Sequence, residues 1–466
     1  MPETHAHSLS TSILLVIGVS IVIVALFTRL RLPAVAGFIL TGALIGPYGL
    51  GWVDEVEAIQ LLAELGVVLL LFSLGVEFSI DRLYQLRHYV LRAGIAQVGL
   101  TVLICAIGAG LMGYTLAQSL ALGMIISLSS TAVGVKILKQ REELDSTHGR
   151  FAVGVLLFQD IMAPVFMAIL PFLPQIQERG LLVAGTKLVF TVVGIAVVYL
   201  LARVVVPVVL RWIVVSDTRE IPVLGSLFIA LLMSYITQSL GMSAALGAFI
   251  AGIIISETPY SHQITANITP FRDSFLALFF ISVGMLVDLP YLQANTGAII
   301  AWTLSLMALK SLIVVGIGLT LRRPLRVGLL AGMALANIGE FSFVLMEQSR
   351  GANLLPSDLV NGLVVGTSLS ILLTPLLLAG TYRLLARATK RAHWLSRLRA
   401  EHESHFELRD HVIIVGFGLN GRNLVNLLRD LEQPFVVIEM NGALVREAQK
   451  QGIPVIYGDA AHPEIL

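Results

Sequence analysis

Long apolar runs separated by short polar breaks fill the first four fifths of the chain. A helix needs about 20 mainly apolar residues to cross a bilayer. Thirteen stretches fit that pattern, at about 10–30, 33–50, 57–76, 88–112, 116–137, 149–173, 183–210, 221–240, 242–257, 271–288, 296–320, 327–347 and 356–382. The N-terminus, "MPETHAHSLST", lacks the positive region of a secretory signal, so the first run reads as a retained helix.

The breaks carry an alternating charge pattern. Lys and Arg gather in short cytoplasmic loops. The odd-numbered breaks hold Arg29 and Arg31; Arg82 and Arg87, with Arg92 just inside the next run; Lys136, Lys139, Arg141 and Arg150; Arg211 and Arg219; Arg272; Arg322, Arg323 and Arg326; and Arg383, Arg387, Lys390 and Arg391. The even-numbered breaks offer only Arg179, Lys187 and Arg350. This predicts an odd number of spans, an outside N-terminus and a cytoplasmic C-terminus.

From about residue 392 the period changes. "HWLSRLRAEHESHFELRD" is a polar linker, and "HVIIVGFGLNGRNLVNLL" reads as strand, glycine turn and helix. "PFVVIEM", "NGALVREAQKQG" and "PVIYGD" supply strand, helix and strand, a βαβαβ unit with parallel strands. The predicted organisation is a membrane domain over 1–385, a linker over 386–409, and at 410–466 the first half of a doubly wound domain, truncated at Leu466.

Composition agrees. The chain has 466 residues, 56% hydrophobic and 13% charged, against about 25% charged in a soluble chain, and a mean hydropathy of +0.86. The net charge of +1 comes without a basic block, so nucleic acid is not an expected partner. Cys105, the single cysteine, cannot form an internal disulfide.

Several polar side chains interrupt the centres of apolar runs: Glu64, Ser127 to Thr131 in "SLSSTA", Gln159 and Asp160 in "LLFQDIMAP", Lys310, and Glu340 in "ANIGEFSF". Ionisable groups at bilayer depth are costly and mark ion paths. A structural ion pair between Asp160 and Lys310 is the plainer alternative. The runs holding Ser130 and Glu340 are seven spans apart, so they cross in opposite directions. That is the pattern of an inverted repeat with paired broken helices, where transporters place the ion site. Ordinary Ser/Thr packing between helices would account for the first run but not for Glu340.

In the C-terminal part, Gly416, Gly418 and Gly421 follow a strand and open a helix, and Glu439 ends the next strand where a ribose-binding acid belongs. The turn Gly416, Phe417, Gly418, Leu419, Asn420 and Gly421 is the candidate phosphate cradle. AMP and NAD(H) both fit the pattern, as does a Rossmann-like fold without ligand. With no catalytic partner in view, gating is expected, not an enzyme.

The stretches "GFILTGALIGPYGLG", "LAELGVVLLLFSLGVEF", "SLSSTAVGVKIL", "LLFQDIMAP", "LFFISVGMLVD" and "GEFSFVL" resemble, in order, the monovalent cation:proton antiporter 2 (CPA2) family, in its glutathione-regulated potassium-efflux (Kef-type) branch. The C-terminal piece resembles the nucleotide-binding (RCK, TrkA-N) domain of potassium transport systems, in which Asp459 corresponds to a further position near the adenosine. The resemblance implies a polytopic α-helical membrane protein of about 13 transmembrane helices, with inverted repeats and crossed broken helices (NhaA/NapA-like), then a partial Rossmann-like α/β domain. It also implies a bacterial inner-membrane location, a homodimer with a moving transport domain, and control by glutathione or an ancillary regulatory subunit.

Sodium-exporting members tend to carry two adjacent aspartates, where this chain has Gln159–Asp160. The implied activity is K⁺/H⁺ antiport, with K⁺ and a proton competing for Asp160. Ser130, Thr131 and Gln159 add neutral oxygens, and Lys310, Glu340 and Glu64 are supporting charges, Lys310 pairing with Asp160 when no cation is bound. A Na⁺/H⁺ exchanger, a ligand-gated K⁺ channel, a redox enzyme and a membrane-anchored sensor are the alternatives.

Overall fold

The computed structural model describes residues 2–30, 32–53, 56–78, 84, 86–214, 220–240, 242–397, 410–458 and 460. Its chain divides into two units, Met1–Arg387 and Ala388–Leu466. Helix occupies each of the thirteen expected stretches. Ten helices are long and apolar enough to cross a membrane, and Ala34–Ile45, Ala244–Ser256 and Leu325–Ala334 are shorter apolar helices, all among the described residues.

The helices are α1 (Pro2–Arg29), α2 (Ala34–Ile45), α3 (Val56–Val76), a π-turn at Tyr89–Gly94 running into α4 (Ile95–Leu111), α5 (Leu116–Ser127), α6 (Thr131–Gln140) and α7 (Thr147–Ile169). After a 3₁₀ turn come α8 (Leu173–Val214), α9 (Glu220–Ser239), α10 (Ala244–Ser256), α11 (Ser261–Met285), α12 (Leu289–Thr320), α13 (Leu325–Ala334), α14 (Glu340–Gly351) and α15 (Ser357–Arg397).

Several helices run beyond their apolar stretches, among them α8, which begins at Leu173, and α15, which continues to Arg397. Helix α11 begins ten residues before its apolar run, through the polar stretch "SHQITANITP". The hydroxyls of Thr265 and Thr269 donate to the carbonyls of Ser261 and Thr265, so these side chains satisfy themselves on their own helix. The π-turn before α4 also carries no hydropathy signal. It brings Gly94 against Phe158, where an added Cβ would lie 2.4 Å from the Phe158 Cβ.

One group of helices packs through bare backbone. Helix α3 lies along α10 and α11, and α2 along α11. At the first contact Gly75 and Gly252 face each other: a Cβ on Gly252 would sit 2.2 Å from the Phe72 carbonyl oxygen and 2.8 Å from the Gly75 Cα. Close backbone approach through small residues is how helices associate where lipid removes the hydrophobic drive. Gly252→Val should therefore destabilise the membrane unit by about 1–3 kcal/mol, an overpacking effect, read as a lower melting temperature in detergent with unchanged helical content.

A second group, α4, α5 with α6, α7, α12, α13 with α14, and α15, gathers round two places where helices stop inside the unit. At its edge Tyr382 of α15 donates to Glu143, in the loop that leads into α7. His148 lies 3.2 Å from both, and the Arg141 guanidinium stacks 4.0 Å from the tyrosine ring centre.

In the C-terminal unit three parallel strands, β1 (Val412–Val415), β2 (Phe435–Glu439) and β3 (Val455–Tyr457), lie in the order β1-β2-β3, with α16 (Leu419–Asp430) and α17 (Gly442–Lys450) between them. Val412 pairs with Phe435 and Val437 with Val455. The central strand is the most buried, as a doubly wound fold requires.

Candidate functional site at the helix crossing

Helix α5 stops at Ser127 and α6 starts at Thr131; α13 stops at Ala334 and α14 starts at Glu340. The two unwound stretches cross. Gly339 N–H donates to the Leu128 carbonyl at 3.1 Å, and a Cβ on Gly339 would lie 2.6 Å from the Ser129 carbonyl carbon. Ser130 N–H donates to Asn337 Oδ1 at 2.6 Å, and the Ser129 hydroxyl donates to the Leu335 carbonyl at 2.9 Å. Non-helical backbone at membrane depth survives where protein satisfies it, and these bonds satisfy it from inside the crossing.

Each end of the broken helices meets a charge of the right sign. Lys310 of α12, fully buried, donates to the Leu128 carbonyl (2.8 Å), the Asn337 carbonyl (2.6 Å) and the Ser129 hydroxyl (2.9 Å). Its ammonium thus lies where α5 and α13 end, at the negative poles of their dipoles. Glu340 stands at the first position of α14. Its carboxylate accepts from the Ser130 hydroxyl at 2.5 Å, with the backbone N–H groups of Ala132 and of Glu340 itself as electrostatic neighbours, at the positive poles of α6 and α14.

The expected pairing of Lys310 with Asp160 is therefore corrected. The lysine is held by two backbone carbonyls, and among the described residues no basic side chain pairs with Asp160. Glu340, expected as a supporting charge, balances the helix starts.

Asp160 lies on α7, 8% exposed, with Oδ1 accepting from the Thr131 hydroxyl at 2.8 Å. Pro164, four residues on, has no N–H, which leaves the Asp160 carbonyl without its helical donor. The carboxylate and the Thr131 hydroxyl stand together beside the crossing, hard oxygens of the kind that suit a hard cation. Gln159 turns the other way: its Oε1 accepts from Ser129 N–H at 2.8 Å and its Nε2 donates to Gln97 Oε1 at 2.6 Å. The Ser130 hydroxyl accepts from Val133 N–H at 3.2 Å while donating to Glu340. Both residues fasten the crossing. Glu64 is not brought to it; it is exposed on α3, with Glu347 as an electrostatic neighbour.

Asn337, which the sequence places at the break with Gly339 and Glu340, is brought to the crossing, and Gln97, which the hydropathy pattern missed, completes the polar lattice. A glutamine in "GIAQVGLTVL" is the signal that could have found Gln97.

In the C-terminal unit Gly416 has φ +95°, a conformation that favours glycine. A Cβ on Gly421 would meet the Gly416 carbonyl oxygen at 2.0 Å, so the turn lies tight against α16. Glu439 accepts from Phe417 N–H at 2.6 Å and Asn441 N–H at 2.7 Å, closing β2 onto the turn. Phe417 is buried, while Gly418, Leu419 and Asn420 are exposed at the uncapped start of α16. Asp459 lies outside the described residues.

The sodium/hydrogen exchanger transmembrane family matches residues 15–381, and the TrkA-N domain matches residues 412–466. The chain is 33% identical over 461 residues to the putative K⁺ efflux antiporter KefB of Alkalimonas amylolytica, covering 97% of this chain and 69% of that protein. It is 33% identical over 454 residues to the glutathione-regulated potassium-efflux system protein KefC of Cronobacter sakazakii, covering 97% and 72%. It is 30% identical over 472 residues to the putative cation/proton antiporter YbaL of Escherichia coli, covering 99% and 85%. Among solved structures, the sodium proton antiporter MjNhaP1 of Methanocaldococcus jannaschii shares the fold, with a TM-score of 0.65 at 16% identity over 82% of this chain and 99% of that one.

Proposed function

Since this chain belongs to the sodium/hydrogen exchanger family, in its CPA2 branch, and carries a TrkA-N domain, we propose that it is a K⁺/H⁺ antiporter in which a proton and K⁺ compete for Asp160. The observation that carries this reading is a buried aspartate with a hydroxyl partner and, among the described residues, no basic one, set against the crossing of two broken helices.

The carboxylate holds either passenger and not both. A proton on Asp160 neutralises it and lets Thr131 keep its hydrogen bond. K⁺ instead takes the carboxylate and the Thr131 oxygen, while Gln159 and Ser130 hold the unwound chain that frames them. K⁺ is large and weakly hydrated, so one carboxylate with neutral oxygens competes with water for it. The names of the KefB and KefC relatives support K⁺ over Na⁺.

In this reading the helices round the crossing move as a body against the group built on α3, α10 and α11, in an elevator cycle within a homodimer. The N-terminus lies outside and the C-terminus in the cytoplasm of a bacterial inner membrane. AMP or NAD(H) on the Gly416–Gly421 turn gates the cycle, with glutathione or an ancillary subunit acting through the same domain.

The test is cation-induced proton release from the purified chain in liposomes, scanned over K⁺, Rb⁺, Na⁺ and Li⁺. K⁺ and Rb⁺ should release protons at lower concentration than Na⁺ and Li⁺. The reverse order would make it a Na⁺/H⁺ exchanger, and unitary currents would make it a channel.

A further inference from the structure

Arg203 stands inside the apolar run "YLLARVVVPVV" of α8, not in a break between runs. Its side chain is exposed, and its neighbours Leu200, Val204 and Val208 are 60%, 69% and 52% exposed, a surface suited to hydrocarbon. Among the described residues no acid lies within ion-pair distance of it. An arginine in such a place is costly unless it snorkels to a polar boundary or finds an anion.

The structure offers a place for that anion. Arg203 lines a cavity of about 370 Å³ between α8, the end of α10 and the turn that enters α11. Leu210 and Ile254, both buried, make it apolar on one side, while Glu257, Thr258 and Tyr260 supply a carboxylate and two hydroxyls. Helix α10 ends at Ser256, so the cavity lies at the end of a helix, where headgroups meet protein. Arg203 and Glu257 share the cavity without forming an ion pair, so one fixed positive and one fixed negative charge stand apart in it.

We propose that this cavity binds the head of an ethanolamine phospholipid, its phosphate on Arg203 and its ammonium on Glu257. The acyl chains lie along Leu200, Val204 and Val208. Arginine suits a phosphate because its planar donors meet two oxygens at once. Glu257 supplies the selectivity. It repels a purely anionic head, and its acceptor oxygens have no N–H to meet on a choline head.

The experiment uses the purified full chain, delipidated in mild detergent and offered phosphatidylethanolamine, phosphatidylglycerol or phosphatidylcholine, with bound lipid counted by native mass spectrometry. The ethanolamine lipid should be retained about tenfold more tightly than the other two. Arg203→Ala should lose most of that retention. Glu257→Gln, a surface change that keeps the fold, should erase the preference for ethanolamine while glycerol-lipid binding stays or rises. Equal retention of the three lipids by the unaltered chain, or a preference unchanged in Glu257→Gln, would overturn the assignment. So would competition by chain-free glycerophosphoethanolamine, which would make the ligand a soluble phosphoester.

Discussion

Asp160→Asn should reduce cation-driven proton movement to the level of liposomes without protein, while the chain still folds and inserts. The substitution is nearly isosteric. The amide oxygen can accept the Thr131 hydroxyl as Oδ1 does now at 2.8 Å, so the local hydrogen bond survives. What is lost is the ability to take a proton and the charge that balances a desolvated cation. Among the described acids, Glu340 is bound to Ser130 at the helix starts, Glu77 pairs with Arg272, and Glu64 is not at the crossing. Melting in detergent should stay within a few degrees of the unaltered chain. Ordinary exchange by this variant would remove Asp160 from the mechanism.

Lys310→Met should be the most destabilising single change at the crossing. Methionine matches the lysine stem in volume but leaves the Asn337 carbonyl without its donor and the Leu128 carbonyl with only the Gly339 N–H, in a buried site. A buried acceptor orphaned in this way costs about 1–3 kcal/mol, more where the lost donor was charged, so the total is about 3 kcal/mol. A drop of that size lowers the melting temperature by roughly 5–10 °C. A double substitution separates this role from ion pairing. If Lys310 existed to neutralise Asp160, Asp160→Asn would rescue Lys310→Met. As a cap on two helix ends it cannot be rescued that way, and the double variant should melt as low as Lys310→Met alone.

The membrane spans were legible because a bilayer imposes one length and one polarity on every helix that crosses it. Asp160 was legible for the same reason, since a carboxylate stands out against twenty apolar neighbours. The breaks in the paired helices showed as Ser, Asn and Gly inside apolar runs, and the glycine turn of the C-terminal unit showed through its spacing. The role of Lys310 was not legible. Its partners are backbone carbonyls 182 and 27 residues away, and no local pattern distinguishes a lysine that caps a helix from one that pairs with an acid. Glu64 misled for a related reason: depth can be read from position along a run, but the direction a side chain faces depends on which helices surround it. Gln97 hid because single amides in apolar helices are common and gain meaning only from what lies opposite.

The four stubs α5, α6, α13 and α14 have 12, 10, 10 and 12 residues. At 1.5 Å per residue each reaches about 15–18 Å, near half of a hydrocarbon layer about 30 Å thick. Their junctions, Leu128–Ser130 and Leu335–Gly339, are three and five residues long. Insulation that elsewhere extends through a whole leaflet pair is here compressed into a partition a few side chains deep. On the proposed reading, a passenger beside Asp160 lies close to both faces of that partition, so a displacement far shorter than the membrane is wide would hand it from one side to the other.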